Sequence, residues 1–453
     1  MQEKSINLEE ALQVADEAVY AKTARHLTDV EMVILRGTWQ NQTYEQMAVS
    51  TKYTANYLQR TAGPKLWRLL YEALGEEVSK TNLRTTLERR WHEVKRFRGE
   101  SRLVKELESK EVKLPDSPVP LNSPYYIERP PIELDCYKAI LQPGALIRIK
   151  APQQMGKTSL LARIVERARK QDYYTATLSL ELADSTVFTD LRKFLQWFCA
   201  SVGQLLGLPN RLADYWDDIF GCNNNTTVYF EKYLLAECSS PLVLALDKVD
   251  WVFEHQAIAG DFCRLLRAWY DMARHSGWRG EIWKRLRLVV VHSTEVYSSL
   301  DINHSPLANV GTIVSLPDFT PKQVQDFARR HGLELTNKQV EQLASVIGGH
   351  PYLVRRALDY LERQNITLEE LLQISPTEAG PFSDHLRQHL WNLQQHPQLA
   401  AVFRQVVLAN KPVKISSDQA FKLYSMGLVQ LHDNEVTPRY DLYRLYFAER
   451  LGE

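Results

Sequence analysis

Ala145-Leu-Ile-Arg-Ile-Lys-Ala-Pro-Gln-Gln-Met-Gly156-Lys157-Thr158-Ser159-Leu160 places an apolar β-run, a short loop and the start of a helix in direct succession. From Ala151 the loop fits G-x-x-x-x-G-K-[ST], with Ala in place of the first glycine. Phosphate binding explains this spacing. A tight turn between strand and helix points successive backbone N–H groups at phosphate oxygens, and the helix N-terminus beside them favours the same negative charge. Gly156 lets the backbone approach closely, Lys157 reaches the β- and γ-phosphates, and the Thr158 hydroxyl is placed to ligate Mg²⁺. Ala151, Gln154, Met155, Gly156, Lys157, Thr158 and Ser159 are therefore candidate cofactor-binding residues, and ATP with Mg²⁺ is the expected ligand pair.

Moving toward the C-terminus, Leu242-Val-Leu-Ala-Leu246-Asp247 is a buried-strand pattern that ends in a carboxylate. An aspartate at the C-terminal end of such a strand holds Mg²⁺ in P-loop NTPases. Thr158 and Asp247 are thus the candidate metal-binding residues. ATPases of this class usually carry Glu next, as general base, but here the residue is Lys248. A charged lysine cannot accept a proton, and loss of a general base costs about 10²–10⁴-fold in rate. Asp250 or Glu254 could stand in, so Asp247 and Asp250 are the candidate catalytic residues. Slow hydrolysis or none is expected, the alternative being that Lys248 points into solvent and another carboxylate serves.

A further run, Leu288-Val-Val-Val-His292, ends in Ser293-Thr294-Glu295, making Ser293 or Thr294 a candidate γ-phosphate sensor. Gly348-Gly349-His350-Pro351-Tyr352 sits where a helical lid would fold over the nucleotide, with Pro351 and Arg355 in reach of it.

These motifs fall within a larger organisation. Residues 1–90 read as all-helical, with capping boxes at Thr28-Asp-Val-Glu31 and Thr43-Tyr-Glu-Gln46, a helix from Thr54 to about Thr61, and a break at Gly63-Pro64. Residues 91–120, charged and then rich in proline, read as a linker. From 121 to 318 near-continuous apolar runs alternate with helical stretches: Ala145–Lys150, Tyr174–Leu180, Leu242–Leu246, Leu286–Val291 and Thr312–Leu316. That is the signature of a parallel sheet covered on both faces. Residues 319–395 read as a helical lid, opened by boxes at Thr320-Pro-Lys-Gln323 and Thr336-Asn-Lys-Gln339. Residues 396–453 read helix, helix, hairpin, helix, the hairpin turning at Asp433-Asn434 between Leu428–Leu431 and Glu435–Thr437. That order suits a winged helix.

Composition excludes several classes. The 453 residues carry no formal net charge, which argues against a strongly basic nucleic-acid coat. No stretch reaches the ~18 uninterrupted apolar residues of a membrane helix. The charged start, with Glu3, Lys4, Glu9 and Glu10, lacks a signal peptide's apolar core. Five scattered cysteines without a C-x-x-C pair suggest neither a disulfide framework nor a zinc site. A cytoplasmic location is expected.

Tyr126-Ile-Glu-Arg-Pro130-Pro131, Ile147 to Leu160, Val291-His-Ser-Thr-Glu-Val-Tyr297, Gly349-His-Pro-Tyr-Leu353 and Ser425-Met-Gly-Leu-Val429 together resemble the bacterial AAA-like domain family. That family is close to the STAND signalling ATPases and their G-x-P lid motif. Leu27-Thr-Asp-Val-Glu31, Thr43-Tyr44-Glu45 and Gly63-Pro-Lys-Leu-Trp-Arg-Leu-Leu70 resemble the helix-turn-helix domain of von Willebrand A–MoxR-associated proteins. The resemblance implies an α/β P-loop NTPase core of the AAA/STAND type with lid and winged helix, behind an all-α helix-turn-helix domain. It also implies a role in nucleotide-gated signalling or conflict systems. Family members usually carry an acid at the position of Lys248, so inherited ATPase activity does not transfer automatically.

The N-terminal domain has two readings. Its helix from Thr54 could enter a DNA major groove, with Lys52, Thr54, Asn56, Tyr57, Gln59, Arg60 and Lys65 nearest to bases and phosphates. Alternatively the same face is solvated and the domain docks a partner protein, since Glu72, Glu76 and Glu77 nearby would repel phosphate. Three functions then compete: an ATP/ADP-dependent regulatory switch, an active ATPase that assembles on DNA as a transposition or defence regulator, and a scaffold with structural nucleotide. The second would form a nucleotide-dependent oligomer and use an arginine finger, for which Arg274, Arg279 and Arg285 are candidates.

Overall fold

In a computed structural model, residues 6–23, 25–90, 118–294, 306–307, 309–364 and 366–451 are described. Most of the expected linker (91–117) and Glu295–Tyr297 lie outside them. The chain divides into two compact units, Met1–Lys113 and Leu114–Glu453.

The first unit is helical: α1 (Leu8–Thr23), α2 (Asp29–Trp39), α3 (Tyr44–Val49), α4 (Ala55–Tyr57) and α5 (Gly63–Leu74). Both capping boxes form. The Glu31 carboxylate accepts from Thr28 N at 2.8 Å, and Gln46 Oε1 accepts from Thr43 N at 2.8 Å. The apolar stripes of these helices meet in one core that includes Leu12, Ala15, Ile34, Leu35, Leu58, Leu66 and Leu70.

The expected break at Gly63-Pro64 does not occur. Leu58–Ala62 is π-helical and runs straight from α4 into α5, with Gly63 N bonded to Leu58 O. Pro64 has no N–H to offer a carbonyl four residues back, and the wider π turn accommodates that loss without ending the helix. Gly63 is required by close approach: a Cβ there would lie 2.9 Å from both Leu58 O and the Tyr44 hydroxyl.

The second unit holds a five-stranded, all-parallel sheet of β1 (Leu146–Ala151), β2 (Tyr174–Ser179), β3 (Leu242–Asp247), β4 (Leu286–Ser293) and β5 (Thr312–Ser315), in the order β2-β3-β4-β1-β5. All five expected runs are strands, shifted at their ends by one or two residues. Every residue of β3 and β4 is buried, whereas the edge strands expose Tyr174 and Thr177 on β2 and Thr312, Ile313 and Ser315 on β5. An interior parallel strand is covered by helices on both faces and an edge strand is not. Helices α6 (Ile132–Ile140) and α7 (Lys157–Arg169) share one apolar layer with β1, and α8 (Leu191–Leu205), α9 (Cys222–Tyr229) and α10 (Gln256–Met272) fill the other.

The last stretch expected to be linker is bound to this unit. Val119 N donates to Ser159 Oγ at 2.9 Å, and the Arg163 guanidinium donates to the carbonyls of Val119 (3.1 Å) and Pro120 (2.9 Å). Helices α11 (Pro321–Arg330) and α12 (Asn337–Ile347) start at their expected capping boxes, and α13 begins at Pro351 and runs to Gln364. Gly349 joins α12 to α13 where only glycine fits, since a Cβ would sit 1.9 Å from Phe319 O. Then follow α14 (Ser383–Gln394), α15 (Pro397–Leu408), α16 (Ser417–Ser425), the antiparallel hairpin β6 (Val429–His432) and β7 (Glu435–Pro438), and α17 (Asp441–Arg450). The element order read from residues 396–453 is present. A single apolar cluster runs from Ile127 and Phe319 through α11–α13 to Phe403, Val436 and Phe447. The division expected at residue 395 therefore does not separate two cores.

Candidate nucleotide site

Strand order builds the site. β4 lies between β1 and β3, with Ala151 in register with Ser293. The loop after β1, the carboxylate ending β3 and the polar tip of β4 thus converge at one sheet edge, on a cavity of about 800 Å³. A nucleoside triphosphate fits a cavity of that size.

Gly156 takes a left-handed φ of 89° and caps α7, aiming that helix's N-terminus into the cavity. Lys157 Nζ rests on the carbonyls of Ala151 (3.0 Å) and Pro152 (2.7 Å). Thr158 Oγ1 donates to Asp247 Oδ2 at 2.9 Å, across 89 positions of sequence. This hydroxyl–carboxylate pair is the hard-oxygen donor set that suits Mg²⁺, whose remaining ligands would be phosphate oxygens and water. Burial pushes the Asp247 carboxyl above its ordinary range, against the lowering effects of Thr158 and of the Lys248 amide, which donates at 3.0 Å.

Not every candidate faces the cavity. Gln154, Gly156, Lys157, Thr158, Ser159, Asp247, Asp250, Ser293, Pro351 and Arg355 line it. Ala151 and Met155 do not: Ala151 ends β1, and the Met155 side chain is fully buried in the apolar layer under the loop. Ser159 lines the cavity, but its hydroxyl is engaged by Val119 N. Of the two sensor candidates Ser293 lies at the cavity, whereas the Thr294 hydroxyl turns away to donate to Ser425 O at 2.7 Å. Asp250 ties the strand tips together by accepting from Ser293 N at 2.9 Å. That orients Ser293 and occupies one carboxylate oxygen of the proposed substitute base.

Lys248 adopts φ 57° and stands half-exposed at the mouth, its Nζ 3.9 Å from Glu181 Oε2. Glu254 lines the same mouth, its carboxyl raised chiefly by burial. Each arginine-finger candidate is held within its own unit. Arg279 pairs with buried Glu231 at 2.7 Å, Arg285 donates to Cys238 O, and Arg274 stacks on Tyr270.

Arg129 and Glu181 were not singled out from sequence. Arg129 Nη1 donates to Met155 O at 2.9 Å, and its other arm lies beside Gly156. Glu133 holds it in place by accepting from Arg129 N and from the Tyr126 hydroxyl. The run Tyr126-Ile-Glu-Arg thus braces the phosphate loop, with Tyr125, Ile127 and Phe319 forming an apolar wall. The run itself was the available signal. Glu181 had none, because only sheet pairing brings the end of β2 beside β3.

In the N-terminal unit, Lys52, Thr54, Asn56, Tyr57, Gln59, Arg60 and Lys65 are all exposed around the π turn. Thr54 is the cap of α4, its hydroxyl accepting from Tyr57 N at 3.3 Å.

Strand order, phosphate loop and the Thr158–Asp247 pair define a P-loop NTPase core. The chain belongs to the AAA-like domain family, whose model matches residues 114–449, and residues 6–90 match the vWA-MoxR associated protein N-terminal HTH. A Walker-type ATPase of Pyrococcus abyssi is similar in structure, with TM-score 0.50 and 14% identity over 71% of this chain and 96% of that one. The Aeropyrum pernix ORC2 protein gives TM-score 0.43 and 12% identity over 70% and 92%. A STAND protein of Pyrococcus horikoshii with a tetratricopeptide repeat sensor gives TM-score 0.33 and 16% identity over 75% and 44%. No curated protein matches the sequence. Among the described residues no helix is long and apolar enough to cross a membrane.

Proposed function

We propose that this protein is an ATP-binding regulatory switch, in which nucleotide state controls what the N-terminal helix-turn-helix unit presents to DNA or to a partner protein. One observation carries the reading: the phosphate and Mg²⁺ residues are assembled around a joined Thr158–Asp247 pair, while a lysine occupies the place of the water-activating acid. Mg²⁺ would neutralise phosphate charge; Lys157 and the α7 N-terminus hold the phosphates, Ser293 reads the terminal one, and Pro351 with Arg355 closes over the nucleotide. The hairpin and helices after Pro397 act in this reading as a winged-helix clamp. A ligand that binds one conformation better than another shifts the population by that difference in affinity, and turnover is not needed.

The test measures Mg-ATP binding and ATP turnover on the same purified sample, with hydrogen exchange of the N-terminal unit followed with and without nucleotide. Binding, near-background turnover and altered exchange support a switch. Absence of binding overturns it, and so does turnover at the 1–10³ s⁻¹ typical of enzymes. The basic, exposed face around Asn56 and Arg60 favours DNA as the partner. Duplex binding that weakens steeply with salt and in Arg60→Glu would support that choice.

A further inference from the structure

Three consecutive phosphate-loop residues touch C-terminal elements. Pro152 packs beside Gly427, where an added Cβ would come within 3.1 Å of it. Gln153 Oε1 accepts from Gln388 Nε2 at 2.8 Å. Gln154 Oε1 lies 2.8 Å from His385 Nδ1. His385 and Gln388 are three apart on α14 and so share one face of the helix. The other ring nitrogen of His385 lies 2.8 Å from the Tyr443 hydroxyl on α17.

These contacts impose one polarity. An amide oxygen only accepts, so His385 Nδ1 carries the proton toward Gln154. His385 is buried among His350, His389, Tyr352 and Tyr443, and burial keeps its ring neutral. A neutral ring has one acceptor nitrogen, so Nε2 accepts from the Tyr443 O–H. The Tyr443 hydroxyl, able to donate or to accept, donates here and so supports the tautomer that the Gln154 oxygen requires. At the receiving end Gln154 has a left-handed φ of 59°. A residue with a Cβ holds such a conformation only where its surroundings over-determine it.

We infer that His385 is a positioning residue for the nucleotide site: braced from behind by the Tyr443 hydroxyl, it holds Gln154, and with it the phosphate loop, in the shape that receives the nucleotide. The inference rests on the ATP-binding reading above and deepens it, since it names the contact through which the last helix of the chain and the nucleotide sense each other. His385 does not line the cavity. Its effect on binding passes through Gln154, and reciprocity requires that bound nucleotide tighten the docking of α14 and α17 equally.

The experiment is a double-mutant cycle on the full chain, reading the affinity and dissociation rate of a fluorescent ATP analogue together with Tm. Gln154→Ala changes an exposed side chain and does not threaten folding, and Tyr443→Phe keeps the ring. Each single variant is expected to weaken binding about tenfold, the worth of one hydrogen bond, and the double variant no more than either alone. His385→Asn retains a donor near the position of Nδ1 and should recover most of what His385→Leu loses. Independent, additive losses from Gln154→Ala and Tyr443→Phe would overturn the inference, as would unchanged affinity in both at native Tm. If the native chain binds no ATP, the underlying reading fails instead.

Discussion

The phosphate side and the water side of the cavity are built to different standards. On the phosphate side, Gly156, Lys157 and Thr158 sit on a loop braced by Arg129 from below and by α14 from behind, with the Lys157 and Thr158 side chains both engaged. On the water side, Lys248 and Glu181 are both about half-exposed and 3.9 Å apart. An exposed pair of this kind contributes roughly 0–1 kcal/mol and fixes little. Binding a nucleotide needs a preorganised cradle, whereas hydrolysing it also needs a base at a fixed place. The cradle is held by several contacts here, whereas the position after Asp247 carries a half-exposed lysine and no carboxylate.

The largest expected effect comes from converting the weak side. Lys248→Glu should raise ATP turnover by about 10²–10⁴-fold, the contribution of a positioned general base, with ATP affinity little changed. Steady-state phosphate release checks it, and an unchanged rate would mean that another carboxylate already serves. Damage to the strong side comes next. Lys157→Ala should weaken ATP binding by roughly 10–100-fold, the loss of charge-assisted hydrogen bonds of about 1.5–3 kcal/mol, as read by calorimetry.

A smaller effect concerns the acid that joins the two sides. Burial raises the Asp247 carboxyl, so the folded state favours the protonated form. The contribution of Asp247 to stability is therefore lost as pH rises from the ordinary carboxylate value through the raised one. Asp247→Asn removes that penalty. At neutral pH the ligand-free variant should melt about 1–3 °C higher while losing the Mg²⁺-dependent part of its ATP affinity. A lower Tm would show that the Thr158 and Lys248 contacts outweigh burial.

The smallest effect separates the neighbours at the tip of β4. Thr294→Val removes the bond to Ser425 O and should lower Tm by about 1–2 °C, for roughly 1 kcal/mol, with ATP affinity unchanged. Ser293→Ala should do the reverse, weakening ATP binding with little change in Tm.

Much of this contrast is legible in the residue order. Gly156-Lys157-Thr158 and Leu246-Asp247-Lys248 are each a few residues long, and their chemistry depends on immediate chain neighbours. The capping boxes at Thr28, Thr43, Thr320 and Thr336 form where they are read for the same reason, since a cap joins residues only three apart. Choosing between Ser293 and Thr294 is a different matter. Ser293 ends β4 and Thr294 lies just beyond it, so which hydroxyl meets the cavity is settled only once β4 has its neighbours and Thr294 reaches Ser425. Gly63-Pro64 is misread as a break because propensity knows nothing of the core formed by Leu58, Leu66 and Leu70, which keeps the helix continuous through a π turn.

By itself, the sequence determined the phosphate loop, the acid at the end of β3, the lysine after it, the alternation of strand and helix, and the all-helical start. Local pattern and hydrophobic periodicity carry those features. Tertiary structure alone decided that β4 enters between β1 and β3, that Arg129 braces the loop from its far side, and that Gln154 meets His385 across 231 positions of chain. Contacts so distant leave no periodic trace in the sequence, because each partner's identity answers to a neighbour that only burial of the shared core brings near.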